Sequence, residues 1–274
     1  MQGAETAITG NRSSRNGGRA MTQAGDFRQS FERLVRERAK YLAEIAGICP
    51  EHGAYTRGQA LDTGGRCPTC WEREKKRRER EQRLALFAER SGVPLRFQAH
   101  TLADFVPPTP AAGKTLAAIQ AYAEDFPVHG KAGRCIVMAG RTGTGKTMLA
   151  CAVCRHIALS HGALCRYATA YHIVRDIKDT YGGNGSEREI VRGYVEPALL
   201  VVDEVGVQYG TDTEKLLLFE VLNGRYENMK PTIVISNLEP AGIGDYLGDR
   251  VMDRLMDNGG AVLVFDWQSH RGRK

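Results

Sequence analysis

The sequence predicts an α/β fold in which helices cover both faces of a mostly parallel sheet. Four apolar segments, at residues 134–140, 163–170, 198–206 and 231–238, predict short buried strands. Helical segments separate them, and strands that are apolar throughout are typical of parallel sheets, which are buried on both faces. A glycine-rich loop between the first strand and the helix after it is a third indication, because phosphate-binding loops lie at this position.

The segments between the strands predict the helices. Residues 115–126, 146–162, 171–183 and 213–228 are long enough for helices, and glycines stop two of them. We place this α/β domain at residues 114–274. Residues 93–113 contain the run PPTPAAGK and predict a linker.

The N-terminal part of the chain has a different composition. Residues 1–25 are polar and rich in Gly, Ser and Asn, which is typical of a disordered tail. Residues 26–92 contain an amphipathic helix, a segment with cysteines and a histidine, and a charged helix, and predict a small helical domain. Residues 72–83 of the charged helix hold seven basic and four acidic side chains, a pattern typical either of a solvated helix face or of a surface for nucleic acid or a partner.

Composition narrows the class of protein. The chain has 274 residues with 38 Lys and Arg against 32 Asp and Glu, a mild excess that permits an acidic partner such as nucleic acid. No apolar run approaches the roughly 20 residues of a membrane span, so we expect no membrane partner. The N-terminus has no secretory pattern and the seven cysteines are dispersed, which favours a reducing cytoplasm.

A metal-binding pattern lies in the N-terminal domain. Cys49, His52, Cys67 and Cys70 have the spacing C-x2-H-x14-C-x2-C. Three thiolates and one imidazole form a complete tetrahedral set for Zn2+, and four protein ligands leave no position for a reacting water. The pattern predicts a structural zinc, which would fold a segment too small for its own core. The alternative is a loop with reduced thiols in which His52 has no special part.

The phosphate loop matches the pattern G-x-x-x-x-G-K-[ST] completely. Its glycines let backbone N–H groups surround phosphate oxygens at a helix N-terminus. Lys146 is expected to reach the β and γ phosphates of ATP, and the Thr147 hydroxyl to bind Mg2+. The predicted nucleotide-binding residues are Gly140, Arg141, Thr142, Gly143, Thr144, Gly145, Lys146, Thr147 and Met148.

Polar residues end the third and fourth predicted strands. Asp203 and Glu204 follow the apolar run LLVV, and Asn237 follows TIVIS. In a doubly wound sheet these strand ends meet near the nucleotide. We expect Asp203 to hold Mg2+, Glu204 to polarise the attacking water and Asn237 to orient it. Caps of a helix or a turn are the plain alternatives for the acidic pair and for Asn237.

Together these features resemble the AAA+ ATPases, with Asn237 in the place of the sensor-1 residue. The runs YHIVRDIKDTY, LLVVDEVGVQ, TIVISN, LGDRVMDRL and VFDWQSHRGR are similar to the DnaC-type loaders of bacterial replicative helicases and their prophage relatives, from about Val93 onward. The IstB-type transposition ATPases share this ATPase core. The resemblance implies an AAA+ core with no full helical lid. Near the C-terminus, Arg271 is the candidate for a contact with nucleotide.

The resemblance also implies partners, and it implies a location in the cytoplasm of a bacterium or of a phage-infected cell. One of Arg250 and Arg254 is expected to act on ATP bound by a neighbouring subunit of a spiral oligomer, although both could pair with Asp249 and Asp253 instead. Lys178, Tyr181 and Thr211 are expected to grip single-stranded DNA. The N-terminal domain is expected to dock on a hexameric replicative helicase. The function implied is ATP-dependent helicase loading, with weak ATP hydrolysis in isolation; target selection on duplex DNA for a transposase is the alternative.

Overall fold

The computed structural model describes residues 17–183, 185–207 and 211–269. The chain forms two compact units, which divide between Arg78 and Glu79. The first contains helix α1 (Gly17–Ala43), strands β1 (Ile45–Cys49) and β2 (Gly53–Thr56), and the start of helix α2 (Pro68–Arg90). Residues 1–16 of the predicted tail lie outside the described residues, and the rest of that segment belongs to α1.

The second unit contains a five-stranded sheet whose described pairings are all parallel, in the order β4-β5-β6-β3-β7. Its strands are β3 (Ile136–Gly140), β4 (Cys165–Thr169), β5 (Leu199–Val205), β6 (Thr232–Ser236) and β7 (Ala261–Phe265). The predicted α/β fold with a parallel sheet is confirmed, and β7 is a strand that the sequence pattern did not indicate.

Helices cover both faces of this sheet. They are α3 (Leu95–Gln98), α4 (Pro110–Glu124), α5 (Phe126–Ala132), α6 (Lys146–His161), α7 (Ala170–Lys178), α8 (Glu187–Val195), α9 (Asp212–Glu227), α10 (Pro240–Leu247) and α11 (Asp249–Met256). One core cluster contains the α6 side chains and the other contains those of α7 and α9. Successive residues of β5 alternate between the two clusters, as expected for a strand buried on both faces.

Residues 93–113, predicted as a linker, hold α3 and part of α4. Val93, Leu102 and Phe105 are buried in the cluster beside α6, so this segment packs as part of the second unit. The two units divide upstream of it, inside α2. Within the described ranges no helix combines the length and the apolar character needed to cross a membrane.

Candidate functional site

The phosphate loop joins β3 to α6. Gly140 and Gly145 have φ angles of 116° and 100°, a backbone conformation that favours glycine. A Cβ atom on Gly140 would lie 2.5 Å from the Phe265 carbonyl oxygen, and one on Gly145 would lie 2.7 Å from Cε2 of Phe105. Packing therefore requires glycine at both positions, in addition to the need for close backbone approach to phosphate.

The C-terminal strand and the residues after it hold this loop in place. The Arg141 N–H donates to the Phe265 carbonyl at 3.0 Å. The buried Trp267 donates its Nε1–H to the Thr144 carbonyl at 3.0 Å, and the Thr144 hydroxyl donates to the Arg141 carbonyl at 2.8 Å. Local sequence patterns did not predict this contact of Trp267, because Thr144 is more than 100 residues away and the β3–β7 pairing brings the two residues together.

Lys146 lies at the N-terminus of α6, with its ammonium group over the loop. Its Nζ donates to the carbonyls of Gly140 at 2.5 Å and Arg141 at 2.7 Å. Burial lowers the pKa of Lys146 to about 8, although the Asp203 carboxylate opposes part of that shift. A cation next to backbone N–H groups at a helix N-terminus is a suitable site for the phosphates of a nucleotide.

The Asp203 carboxylate lies beside this lysine, at the end of β5. Its Oδ2 accepts hydrogen bonds from the hydroxyl groups of Thr147 at 2.7 Å and Tyr167 at 2.9 Å, and its Oδ1 accepts one from the Glu204 N–H at 2.7 Å. A carboxylate and a hydroxyl are the oxygen ligands that Mg2+ prefers. The structure thus brings together the predicted Thr147–Asp203 pair, and it adds Tyr167, which sequence analysis missed.

Glu204 is the next-to-last residue of β5, and Asn237 follows the end of the neighbouring strand β6. Glu204 has a φ of 59°, and the β5–β6 register shifts between Val202 and Val205. A left-handed conformation in a residue other than glycine costs on the order of 1 kcal/mol or more and is frequent at functional sites. The Glu204 side chain is exposed and lines a cavity with Tyr171, Glu214 and Tyr246.

Arg250 and Arg254 lie one turn apart on α11. Arg250 is exposed, with its guanidinium 5.7 Å from the centre of the Phe219 ring. Arg254 is half-buried, donates to the Asn223 side-chain oxygen and lies 5.2 Å from the centre of the Tyr226 ring. Neither arginine has a described ion pair with Asp249 or Asp253, the plain alternative that the sequence allowed. Arg271 lies outside the described residues.

The three residues predicted to contact DNA have different surroundings. Lys178 ends α7, and its Nζ lies 3.2 Å from Oε1 of Glu214. Thr211 is the N-cap of α9 and forms a capping box with the same glutamate. Tyr181 lies in the 3-10 turn after α7, not on the predicted helix, and is 60% exposed. Glu214 therefore joins Lys178 to Thr211, while the ring of Tyr181 is open to solvent.

The four predicted zinc ligands meet in the first unit. The β1–β2 hairpin carries Cys49 and His52, and Cys67 and Cys70 lie at the N-terminus of α2. Their ligand atoms all lie within 4.8 Å of one another. The His52 Nδ1 is 3.5 Å from the Cys49 sulfur, 3.8 Å from that of Cys67 and 3.4 Å from that of Cys70. A tetrahedron around zinc has edges of about 3.4 to 3.8 Å, so the set fits this metal.

Electrostatics also favour metal binding by these thiols. Backbone and His52 hydrogen bonds lower the pKa of Cys49 to about 6, whereas the neighbouring Cys49 thiol raises that of Cys70 to about 11. A cluster of thiolates repels itself, and a divalent cation relieves that repulsion. The positive end of α2 stabilises negative charge at Cys67 and Cys70.

Ion pairs within the charged helix support the solvated alternative for its surface. Lys76 lies 3.4 Å from Glu72 and Arg78 lies 2.5 Å from Glu74, both at i,i+4 spacing. Such pairs contribute roughly 0.3–0.5 kcal/mol each and need no partner molecule. Arg73 of the same helix is also paired, 2.8 Å from Glu51, and a nucleic-acid or partner surface on this helix stays a prediction.

Comparisons with known proteins agree with this geometry. Residues 73–271 match the model of a family described as IstB-like ATP binding protein. The replicative helicase loader DnaC of Escherichia coli K12 is 33% identical over 138 residues, which are 50% of this chain and 56% of that protein. DnaC of Buchnera aphidicola from Schizaphis graminum is 31% identical over 160 residues, 58% of this chain and 63% of that protein. The chain thus spans about three fifths of the curated relatives that it matches.

Solved structures show the same fold. A crystal structure of the DnaC helicase loader matches with a TM-score of 0.57 at 22% identity, over 63% of this chain and 99% of that chain. AMPPCP-bound DnaA from Aquifex aeolicus matches with a TM-score of 0.54 at 22% identity, over 64% of this chain and 51% of that chain. These likenesses support the fold of the second unit, a parallel α/β sheet with helices on both faces.

Proposed function

The chain belongs to the family of IstB-like ATP binding proteins, and from this premise we propose that it is an ATP-dependent loader that delivers a replicative helicase onto single-stranded DNA. The observation that carries the proposal is a complete phosphate loop whose Thr147 is bonded to Asp203, in a chain with curated relatives that are helicase loaders. A loader uses ATP as a switch, so slow hydrolysis by the isolated protein is expected.

In this proposal Lys146 and the loop N–H groups hold the phosphates, Glu204 polarises the attacking water and Asn237 orients it. Mg2+ held by Thr147 and Asp203 would neutralise charge on the β and γ phosphates. Glu204 follows a residue that is fixed by three hydrogen bonds, so its backbone position is well defined. Its carboxylate would turn toward the phosphates when the site is occupied.

We expect one arginine of α11 to complete the ATP site of a neighbouring subunit. Variants Arg250→Ala and Arg254→Ala separate the two candidates. The variant that lacks the trans-acting arginine should hydrolyse ATP about 10³-fold more slowly at a concentration where the protein assembles. The reason is that no guanidinium then stabilises the charge on the γ phosphate. Mixing it with Lys146→Ala subunits should restore part of the rate. If neither mixture exceeds the sum of its components, no arginine of α11 acts in trans.

Single-stranded DNA is proposed to lie over α7 and the start of α9. Tyr181 offers an exposed ring for base stacking, which contributes about 1–3 kcal/mol per base. Lys178 can meet a phosphate once that phosphate replaces Glu214 as its partner. Thr211 already uses its hydroxyl as a helix cap, so its part is to hold the start of α9 in place.

Zinc is proposed to fold the first unit, which docks on the helicase. The purified protein should contain one zinc per chain, measured by elemental analysis. Cys67→Ser and Cys70→Ser should lose it, and proteolysis within residues 26–78 should then become fast, because zinc supplies about 10 kcal/mol or more to such folds. Cys151→Ala is the matched control, since that thiol is buried in α6 and should leave the zinc in place. A full zinc content in Cys67→Ser would refute the ligand set.

Light scattering with the purified hexameric replicative helicase of the host tests the proposed function. A stoichiometric complex that differs between ATP and ADP, together with tighter binding of single-stranded than duplex oligonucleotides, is the expected result. No complex, with ATP-dependent filaments on duplex DNA, would replace the loader by an ATPase that selects transposition targets. A Glu204→Gln protein that hydrolyses ATP at the parental rate would refute the assignment of the base.

A further inference from the structure

The Asp203 carboxylate has a hydrogen-bond donor that the phosphate-loop pattern does not include. Its Oδ2 accepts from the Thr147 hydroxyl at 2.7 Å and also from the Tyr167 hydroxyl at 2.9 Å. The first donor comes from the loop helix α6. The second comes from β4, a strand with no other part in the proposed nucleotide site.

The sheet register explains how Tyr167 reaches this carboxylate. Asp203 pairs with Thr169 across β4 and β5, so Tyr167 lies two residues before that partner on the same face. Side chains at this diagonal position are about 7–8 Å apart at their Cα atoms, which is within reach of an aromatic ring. The ring packs on the cluster beside α6, so it is fixed by packing as well as by its hydroxyl.

Thr147 and Tyr167 both donate to Oδ2 of Asp203. With Glu204 N–H on the other oxygen, the carboxylate has a donor on each side and a single orientation.

We propose that Tyr167 is a positioning residue that holds the Asp203 carboxylate in the orientation needed to bind the Mg2+ of a bound Mg–nucleotide. The inference rests on the proposed function of the phosphate loop as an ATP site. Groups that orient a metal-binding carboxylate typically change metal affinity by about 10- to 100-fold when they are removed. Tyr167 thus contributes to magnesium affinity without touching nucleotide.

Tyr167→Phe tests this with minimal change of shape. Binding of a fluorescent ATP analogue is titrated at fixed MgCl2 concentrations and in EDTA. We expect the Mg2+ concentration for half-maximal gain in affinity to rise about tenfold, while affinity in EDTA stays at the parental value. Tyr194→Phe is the matched control, because it also removes a phenol–carboxylate bond, to Asp176 at 2.6 Å, and it should leave the Mg2+ dependence unchanged. Circular dichroism and melting curves check that both variants fold.

The outcomes separate the inference from its premise. A parent protein that binds no nucleotide would overturn the proposed ATP site itself. A parent that binds with normal Mg2+ dependence, and a Tyr167→Phe variant that matches it, would overturn the role of Tyr167 alone. An equal shift in Tyr194→Phe would also overturn it, since the effect would then be structural. In an Asp203→Asn background, Tyr167→Phe should have no further effect on the Mg2+ dependence; an undiminished effect there would exclude action through Asp203.

Discussion

Lys146→Ala is expected to reduce ATP hydrolysis by about 10²–10³-fold and to weaken nucleotide binding strongly, while the sheet stays folded. The side chain is 95% buried over the phosphate loop and bonds only to loop carbonyls. Its loss removes the one described lysine at this site and leaves the backbone contacts of the loop intact. Equilibrium binding of a fluorescent ATP analogue and steady-state hydrolysis measure the two effects.

A pH profile distinguishes loss of charge from loss of shape at Lys146. Since burial lowers the pKa of Lys146 to about 8, its charge is complete well below that pH and is lost as the pH rises through it. Bound phosphate stabilises the charged form, so affinity for nucleotide should fall about tenfold between pH 7 and pH 9. Lys146→Ala should lack this dependence. Lys131→Ala, on a different helix, is the control that should keep it; a parental pH profile in Lys146→Ala would contradict the role of this charge.

Features carried by contiguous residues could be predicted from the sequence. The phosphate loop, the acidic pair at the end of β5 and the four clustered zinc ligands each follow from spacing, because the chemistry fixes which residue types stand at those positions. The four predicted strands are present, because burial of apolar runs of this length in the core is favourable. These predictions need no knowledge of which strand lies beside which.

Features that depend on strand order could not be predicted. Tyr167 becomes relevant only because β4 lies next to β5 in one register, and Trp267 only because β7 lies next to β3. The left-handed Glu204 lies where the β5–β6 register shifts, and no local pattern indicated that shift. The use of Thr211 as a helix cap and the pairing of Lys178 with Glu214 likewise come from tertiary placement.

Arg225→Met is expected to destabilise the second unit by about 3–5 kcal/mol. Arg225 is fully buried, and burial lowers its pKa to about 10, so it is still charged at neutral pH. Its guanidinium donates to oxygens at the end of α8 and at the entrances to β5 and β6. The acceptors are the carbonyls of Tyr194 (2.9 Å), Val195 (2.9 Å), Pro197 (3.0 Å) and Pro231 (2.5 Å) and the hydroxyl of Thr232 (2.9 Å).

The reason for the large effect is that methionine fills the space but donates to none of these groups. The last carbonyls of α8 have no partner within the helix and carry its negative dipole end, so Arg225 acts as a buried cap. Leaving buried acceptors unpaired costs about 1–3 kcal/mol each where water cannot enter. Thermal melting should therefore show a decrease of roughly 10 °C or more. Arg188→Met changes an exposed arginine of α8 and should melt at the parental temperature. Arg225→Lys should melt between the parent and Arg225→Met, because lysine keeps the charge but lacks the planar guanidinium. If Arg225→Met melted within about 2 °C of the parent, water would have to hydrate these carbonyls in the variant. The end of α8 would then be a solvated surface and not a capped junction between three elements.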